Sequence, residues 1–501
     1  MRLFVISNRV ADLDSPDAES FGGLAMAMGR ALRQHGGIWL GWSGDTSIDP
    51  DEAPRLHNAG NVTLARLDLS PQQVDEYYNG FANRTLWPLC HYQTNLVAYE
   101  RSFRETYSDV NRAFAKAIQK MLQPDDVIWV HDYHLIPLGR ELRALGIQNR
   151  IGFFLHIPWP AREVFITLPE HEELVWSMFA YDLVGFQTRS SLHAFRDYVT
   201  TELGAVSAAN LLVDRFGRKL LAKSYPIGID PAEFIDLAAS DEAQRSYAQL
   251  RSGAAGRKLL VGVDRIDYTK GLPHKFAAYA HFLDKSDEYR GDTHLLQIGQ
   301  PSRDVVEDYQ MLGEQLITEA GRINGLYGQL DWTPLQYHTR SYPRDALAGI
   351  YRAADIALVT PLRDGMNLVA KEFIAAQDPD DPGVLILSRF AGAAEQLTDA
   401  LLVNPNSYEQ CAEAIIQAIE MPRDQRIRRW RALHDAISRD DLAKWSRIFL
   451  ADLTVAQPHA QGRVGLLSKS TISAPSLGWQ DWHRDTGEDD DSTGPLVSTT
   501  S

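Results

Sequence analysis

The sequence predicts an α/β protein with two doubly wound parallel-sheet domains that face each other across a ligand-binding cleft. At 501 residues the chain is longer than one ordinary domain. Short β-branched runs alternate with longer amphipathic segments, a pattern typical of parallel sheets covered by helices on both faces. Proline and glycine cluster at residues 224–231, and the alternation then starts again. This segment therefore marks the boundary between the two domains.

The first half carries a series of predicted strands and a helix that begins at a glycine pair. The helix spans residues 22–35, and Gly22 and Gly23 allow a close approach of the backbone to a ligand. The strands are predicted at residues 2–7, 38–42, 126–130, 151–156, 183–186 and 220–225.

The second half repeats the pattern. Its strands are predicted at residues 258–263, 294–298, 356–360 and 383–387. Ligands of such sheets bind beyond the carboxyl ends of the strands, so the residues that follow each strand are the candidates for function.

The domain limits follow from these elements. We expect a first domain at residues 1–225, a second at 229–439, and a helix at about 440–456 that completes the first domain. Residues 457–501 are rich in Ser, Thr, Gly and Asp, including an acidic run at 488–491. Such a composition buries little apolar surface and predicts a disordered tail.

Composition excludes several classes of protein. The net charge of −16 disfavours nucleic-acid binding, and no apolar stretch approaches the roughly 20 residues of a membrane span. Only Cys90 and Cys411 are present, which is typical of reduced thiols in the cytoplasm. The chain lacks the P-loop, dinucleotide, zinc-protease and serine-hydrolase motifs. We expect no metal and no cofactor.

The clearest anion-binding candidate is the segment 363–372, which follows the predicted strand 356–360. Asn367 is a favourable N-cap, so the backbone amides of Leu368 and Val369 would project from a helix start and bind a diphosphate. Glu372 would reach a ribose diol, and Asp364 would accept hydrogen bonds from sugar hydroxyls. An ordinary capped helix with a solvated glutamate fits this spacing equally well.

A second loop follows the strand 258–263. It carries Arg265 and Lys270, two cations that would grip phosphate oxygens. A charged surface loop is the alternative interpretation, but two phosphate-type loops in one half of the chain support each other.

The first half offers further candidates at strand ends. Arg9 follows the first strand and would bind a second phosphate, although a surface ion pair is the commoner role. Asp132 lies in a His-Asp-Tyr-His segment after the strand 126–130, and His156 ends the strand 151–156. Tyr78 and Trp87 flank an aromatic segment that suits either sugar stacking or core packing.

These segments, in this order, resemble the trehalose-6-phosphate synthase family, and the resemblance covers residues 1–456. The stretches that carry it include SNRV, FGGLA, GWSG, VIWVHDYHL, RIGFFLHIPWP, DLVGFQT, DRIDYTKGL, QIGQPSR and VTPLRDGMNLVAKEF. The resemblance implies two facing Rossmann-like domains in the GT-B arrangement. It also implies a retaining transfer of glucose from UDP-glucose to glucose 6-phosphate, by a front-face route.

The resemblance also implies a role for each matching residue. It implies a set of catalytic residues that would bind the departing diphosphate and the reacting glucose: Asp132, His156, Arg265, Lys270 and Asp364. The acceptor pocket would be formed by Arg9, Tyr78, Trp87, Asp132 and Arg303. The donor would be held by Gly22, Gly23, His156, Arg265, Lys270, Tyr342, Asp364, Gly365, Met366, Asn367, Leu368, Val369 and Glu372.

Alternatives remain at this stage. Relatives differ in donor base and acceptor, so a GDP- or ADP-glucose enzyme, or a glucosylglycerol-phosphate synthase, would look similar. A nucleotide-sugar epimerase shares the two-domain plan, and a non-catalytic sugar-phosphate sensor is the alternative outside catalysis. A covalent route to retention would use Asp132 as its nucleophile. We further expect a cytoplasmic protein and a homo-oligomer.

Overall fold

A computed structural model describes residues 2–11, 22–301 and 307–456. It confirms an α/β architecture with two parallel sheets, both within the compact unit Met1–Ala460. The predicted tail at 457–501 and the predicted acceptor residue Arg303 lie outside the described residues.

The first sheet has ten strands in the order β3-β4-β2-β1-β5-β6-β7-β10-β9-β8. Its strands are β1 (Leu3–Arg9), β2 (Gly37–Thr46), β3 (Arg55–Ala59), β4 (Val62–Leu69), β5 (Val127–His131), β6 (Ile151–Leu155), β7 (Leu183–Phe186), β8 (Val206–Ala208), β9 (Leu211–Val213) and β10 (Lys219–Ser224). Pairing is parallel from β4 to β10, and the edge strands β3, β8 and β9 pair antiparallel.

The second sheet has six strands, all parallel, in the order β13-β12-β11-β14-β15-β16. They are β11 (Lys258–Arg265), β12 (Thr293–Gln300), β13 (Leu335–His338), β14 (Ile356–Val359), β15 (Val384–Ser388) and β16 (Leu401–Val403). The chain order reverses between β11 and β14, and a crevice for ligands opens at such a switch point. Both predicted phosphate loops follow these two strands.

Helices cover the faces of both sheets. They are α1 (Gly22–His35), α2 (Pro71–Gln73), α3 (Trp87–Cys90), α4 (Arg101–Gln119), α5 (Leu138–Ala144), α6 (Arg162–Phe165), α7 (His171–Met178), α8 (Arg189–Thr201), α9 (Pro231–Ala238), α10 (Asp241–Ala254), α11 (Leu272–Lys285), α12 (Glu307–Tyr327), α13 (Arg344–Ala353), α14 (Leu368–Ala376), α15 (Tyr408–Glu420), α16 (Arg423–Arg439) and α17 (Leu442–Val455). A π-helical segment, Val74–Leu86, links α2 to α3. No helix in the described part of the chain is long and apolar enough to cross a membrane.

The last helix, α17, returns to the first sheet. Phe449 stacks on Trp129 of β5, with ring centroids 4.7 Å apart. Gly152 and Gly185 make room for it, because a Cβ at either position would lie 2.8 Å from the Phe449 ring. The helix therefore packs on a face of the first sheet that small glycine residues leave open. The exact limits of the two domains stay a prediction.

Some strands escape the sequence analysis. Strand β3 is exposed along nearly its whole length, and only one of the four residues of β13 is buried. Strand β3 lacks the apolar run and the strict alternation that mark a strand, and β13 alternates over only four residues.

Candidate active site

Two loops at the carboxyl edge of the second sheet carry the candidate phosphate ligands and their counter-ions. Arg265 Nη2 lies 3.7 Å from Asp267 Oδ2. Arg265 ends β11, and Lys270 lies in a short turn before α11. The Leu362 N–H donates to the carbonyl oxygen of Thr269 over 2.8 Å, which ties the loop after β14 to the loop after β11. The structure thus brings together the two segments that the sequence predicts as phosphate loops.

Lys270 and Asp364 form an ion pair across these loops, with 2.5 Å between Nζ and Oδ2. Burial alone would raise the pKa of Asp364, but the charge and hydrogen bond of Lys270 outweigh it, and its pKa lies below the ordinary value. The carboxylate is therefore ionised and would accept hydrogen bonds from sugar hydroxyls. Asn367 Nδ2 also donates to it over 3.1 Å.

Asn367 caps α14 in the way the sequence predicts. Its Oδ1 accepts the Ala370 N–H over 3.2 Å, and its φ of 82° directs the chain into the helix. The amides of Leu368 and Val369 thus belong to the first turn, where the helix supplies no carbonyl acceptor. An anion at this end would also gain from the helix dipole.

Glu372 lies one turn further along α14. Burial raises its pKa to about 7, against the opposing effects of Arg344 and of a hydrogen bond from Tyr351. The Tyr351 hydroxyl is 3.4 Å from Glu372 Oε2. Tyr342, the residue predicted near the donor's base, does not take part in this contact. Its hydroxyl lies 2.8 Å from His338 Nδ1 and 2.7 Å from Arg340 Nη2.

On the first sheet, Arg9 ends β1 with its guanidinium 5.4 Å from the Trp42 ring centroid. Gly44, at φ 99°, makes this placement possible, because a Cβ there would lie 2.2 Å from Arg9 Nη2. Neither Gly44 nor Trp42 was predicted as a site residue. The glycine of the GWSG segment was the available signal.

The predicted aromatic residues line the same end of the first sheet. Tyr78 stacks on His134, with centroids 5.9 Å apart and 13° between the planes. Trp87 is buried, and the Arg265 guanidinium lies 5.5 Å from its ring centroid. This cation–π contact joins the loop of the second sheet to the first half of the chain.

Asp132 follows β5 in a strained conformation, with φ 76° and ψ 167°. Its Oδ1 accepts the His156 backbone N–H over 3.1 Å. A non-glycine residue at such a φ costs free energy, and strain of this kind gathers at functional sites.

The ring of His156 belongs to a chain of hydrogen bonds. Gln187 Oε1 accepts the Ile227 N–H over 2.9 Å, so its amide nitrogen donates to His156 Nδ1, which is 3.2 Å away. The His156 proton must then reside on Nε2, and it is donated to His131 Nδ1 over 3.1 Å. Burial lowers the pKa of His156 to about 3, which keeps the ring neutral. A sugar hydroxyl bound by this ring would have to replace one of these two partners.

The two halves touch through backbone as well as side chains. A Cβ at Gly365 would lie 2.0 Å from the carbonyl oxygen of His156, so only glycine allows this approach. The Arg363 guanidinium lies 3.8 Å from the Tyr92 ring centroid, and Glu395 accepts the N–H groups of Arg189 and Ser190 at the start of α8. The sequence did not predict the contacts of Gln187, Tyr92 and Arg363, although Gln187 lies in the DLVGFQT segment and Arg363 in the VTPLRDGMNLVAKEF segment.

Three further predicted residues are described only by their positions. Gly22 and Gly23 open α1, and Met366 is buried beside Gly365. No group of three or more His, Cys, Asp or Glu side chains in the described ranges is arranged to hold a metal ion.

The chain is similar to known proteins along most of its length. The sequence model of glycosyltransferase family 20 matches residues 8–455. A trehalose-6-phosphate synthase of Sinorhizobium fredii is 46% identical over 457 residues, covering 91% of this chain and 98% of the relative.

Solved structures agree in fold. A UDP-forming α,α-trehalose-phosphate synthase of Burkholderia xenovorans in complex with glucose-6-phosphate aligns at 45% identity with a TM-score of 0.87, covering 91% of this chain and 100% of that chain. A structure described as trehalose-6-phosphate from E. coli bound with UDP-2-fluoro glucose aligns at 44% identity with a TM-score of 0.87, with the same coverage. A match of this extent in sequence and fold leaves one conclusion: the chain belongs to glycosyltransferase family 20.

Proposed function

We propose that this protein transfers glucose from UDP-glucose to glucose 6-phosphate, with retention of configuration, and releases trehalose 6-phosphate and UDP. The observation that carries the proposal is the placement of Arg265 and Lys270 beside the start of α14, opposite Trp87 of the first half. Family membership supports it, and so do the similar structures that hold glucose-6-phosphate or a UDP-glucose analogue.

The main catalytic task is to stabilise the departing diphosphate. As the bond between C1 and the phosphate oxygen breaks, negative charge grows on the leaving group. Arg265, Lys270 and the amides of Leu368 and Val369 supply positive potential where that charge develops. In a chain of net charge −16, these local positive groups would favour the binding of an anionic donor, whose phosphates offer them an alternative to the carboxylates of Asp267 and Asp364.

The donor's other groups would meet residues around the same loops. Glu372 would accept a hydrogen bond from the ribose, and Asp364 would hold hydroxyls of the transferred glucose with His156. Gly365 and Met366 would line the glucose pocket, Gly22 and Gly23 would pass beside the phosphates, and the backbone at Tyr342 would meet the uracil.

The acceptor would bind to the first half of the chain. Arg9 would hold the 6-phosphate, and Tyr78, Trp87 and Asp132 would surround the sugar. Arg303, proposed as a second phosphate ligand, lies outside the described residues.

Retention follows from a front-face route in which the leaving phosphate oxygen takes the proton of the acceptor hydroxyl. The hydrogen bond from the His156 N–H to Asp132 supports an orienting role for this carboxylate rather than nucleophilic attack. Asp132→Asn keeps the size of the side chain but lacks the charge. We expect it to lower kcat. We also expect intact-mass spectrometry of the wild-type chain during turnover of UDP-glucose to show no glucosyl-enzyme, because a covalent route would form that species on the Asp132 carboxylate.

The function is tested by offering the purified chain UDP-, ADP- and GDP-glucose, each with glucose 6-phosphate, with glycerol 3-phosphate or without an acceptor. We expect UDP release with UDP-glucose and glucose 6-phosphate, and an α,α-linked product by mass and NMR analysis. Conversion of the donor to an epimer without any acceptor would refute the proposal. A failure to release any nucleoside diphosphate would also refute it. A cytoplasmic location and a homo-oligomer stay predictions; light scattering of the purified chain tests the latter.

A further inference from the structure

Two segments of chain connect the halves of the molecule. The first crossing segment, residues 225–230, leads from β10 to α9. The second crossing segment, Asp440 and Asp441, leads from α16 to α17. The segments lie against each other: the Leu442 N–H donates to the carbonyl oxygen of Ile229 over 2.9 Å, and a Cβ at Gly228 would lie 2.3 Å from the carbonyl oxygen of Asp440.

One buried ammonium group connects both crossing segments to α14. Lys371 is 1% exposed, and its Nζ donates to the carbonyl oxygen of Ile227 over 2.6 Å. It also donates to Gln396 Oε1 over 2.7 Å, and Gln396 Nε2 lies 3.3 Å from Asp440 Oδ2. Lys371 therefore contacts the first crossing segment directly and the second through one side chain.

The same residue of the first crossing segment, Ile227, also contacts the first half of the chain. The N–H of Ile227 donates to Gln187, whose amide donates to the ring of His156. The carbonyl of Ile227 and its own N–H are thus held from opposite halves of the molecule. A series of three hydrogen bonds, joined through the backbone of Ile227, therefore runs from α14 to the residue proposed to hold the transferred glucose.

Lys371 lies on the helix that is proposed to bind the donor. It lies between the amides of Leu368 and Val369, proposed for the diphosphate, and Glu372, proposed for the ribose. Burying an ammonium group costs free energy that an apolar side chain would avoid, and burial lowers the pKa of Lys371 to about 7. A packing role alone would be served better by leucine or methionine.

We propose that Lys371 is a positioning residue for glucosyl transfer, fixing the donor-binding helix to both crossing segments and, through Gln187, to His156. This inference rests on the proposed function. Without Lys371 the donor would still bind the second half, but the two halves would no longer be held at the distance and angle that transfer needs.

The test compares three variants in the full chain. Lys371→Met removes the ammonium at similar length, and Gln396→Leu interrupts only the connection to the second crossing segment. Trp430→Phe is the matched control, because Trp430 Nε1 donates to the Ile374 carbonyl of α14 but contacts neither crossing segment through that bond. The measurements are kcat and KM for transfer, the rate of UDP-glucose hydrolysis with and without acceptor, and the Kd of UDP by calorimetry.

We expect Lys371→Met to keep the Kd of UDP and to lower kcat about 10²-fold, as displacement of reacting groups by about 1 Å does. The ratio of hydrolysis to transfer should rise, because misaligned halves admit water. Gln396→Leu should also lower kcat and raise the ratio of hydrolysis to transfer, but by smaller factors. Trp430→Phe should have the kcat and the ratio of the wild type.

Wild-type kcat and hydrolysis ratio in Lys371→Met and Gln396→Leu would overturn the inference, as would an equal effect of Trp430→Phe. If circular dichroism shows that Lys371→Met is not folded, the result for Gln396→Leu alone tests the inference, since this variant retains the hydrogen bond from Lys371 to Ile227. A wild-type chain that makes no product from UDP-glucose and glucose 6-phosphate would overturn the proposed function instead.

Discussion

Arg265 illustrates how one side chain serves both halves of the site. It supplies positive charge at the end of β11, and its guanidinium lies over Trp87 of the first half. We predict that Arg265→Ala lowers kcat about 10²–10³-fold, the usual cost of removing one donor to a developing charge. Calorimetry should show weaker UDP binding and unchanged glucose 6-phosphate binding. Arg245→Ala, an exposed ion-paired arginine of α10, is the control. A loss of acceptor affinity alone would contradict the assignment.

Several histidines removed from water make the free energy of unfolding depend on pH, and they include His131, whose pKa burial lowers well below its ordinary value. Burial lowers the pKa of His156 to about 3 and of His91 to about 4, whereas an unfolded histidine titrates near about 6.5. Between these values the unfolded chain binds more protons, so the free energy of unfolding falls as the pH drops below about 6.5.

Urea unfolding at a series of pH values checks this prediction. Each histidine contributes a slope of up to about 1.4 kcal/mol per pH unit, and His91→Asn should make the dependence shallower. An unchanged slope in His91→Asn would contradict the assignment to His91.

At the scale of the residue, the spacing in the sequence anticipates contacts between candidate residues that follow a strand directly. Lys270 and Asn367 each contact Asp364. Their roles in binding stay predictions. Gln187 and Lys371 escape prediction, because their partners are the peptide of Ile227 and side chains distant in sequence. Only the folded chain brings these groups together.

At the scale of the element, close approach between the loops depends on glycine. We predict that Gly365→Ala lowers kcat about 10²-fold while the protein stays folded, because the new Cβ would meet the His156 carbonyl and push the halves apart. Gly313→Ala on α12 is the control: its Cβ would meet nothing within 4 Å, and it should stabilise the chain by about 0.5–1 kcal/mol. Steady-state kinetics and thermal unfolding measure both effects. Full activity in Gly365→Ala would show that the contact is dispensable.

Element prediction succeeds for the central strands of both sheets and fails towards their edges, where it misses even the mostly buried β4. The predicted strand at 183–186 coincides with β7, which is buried throughout, and the predicted helix at 22–35 coincides with α1. Strands β3 and β13 are missed because most of their residues face solvent or are half-buried. In such strands the backbone hydrogen bonds to neighbours decide the structure, and no hydrophobic pattern records them.

At the scale of the whole molecule, the two halves of the chain are in contact. The contacts join Arg265 to Trp87, Arg363 to Tyr92, and Glu395 to the start of α8. We predict that UDP favours this arrangement, because the donor's diphosphate meets the Arg265 side chain. Small-angle scattering should show a smaller radius of gyration with UDP than without, and Arg265→Ala should reduce the change. An unchanged radius in the wild type would count against ligand-driven closure.

The return of α17 to the first sheet also has a consequence for synthesis on the ribosome. Phe449 fills the space over Gly152 and Gly185, yet it is made only after the whole second sheet has been translated. At roughly 5–20 residues per second, this face of the first sheet waits on the order of tens of seconds for its cover. The second half can complete its own core earlier, so the part of the chain that leaves the ribosome first is the last to finish folding.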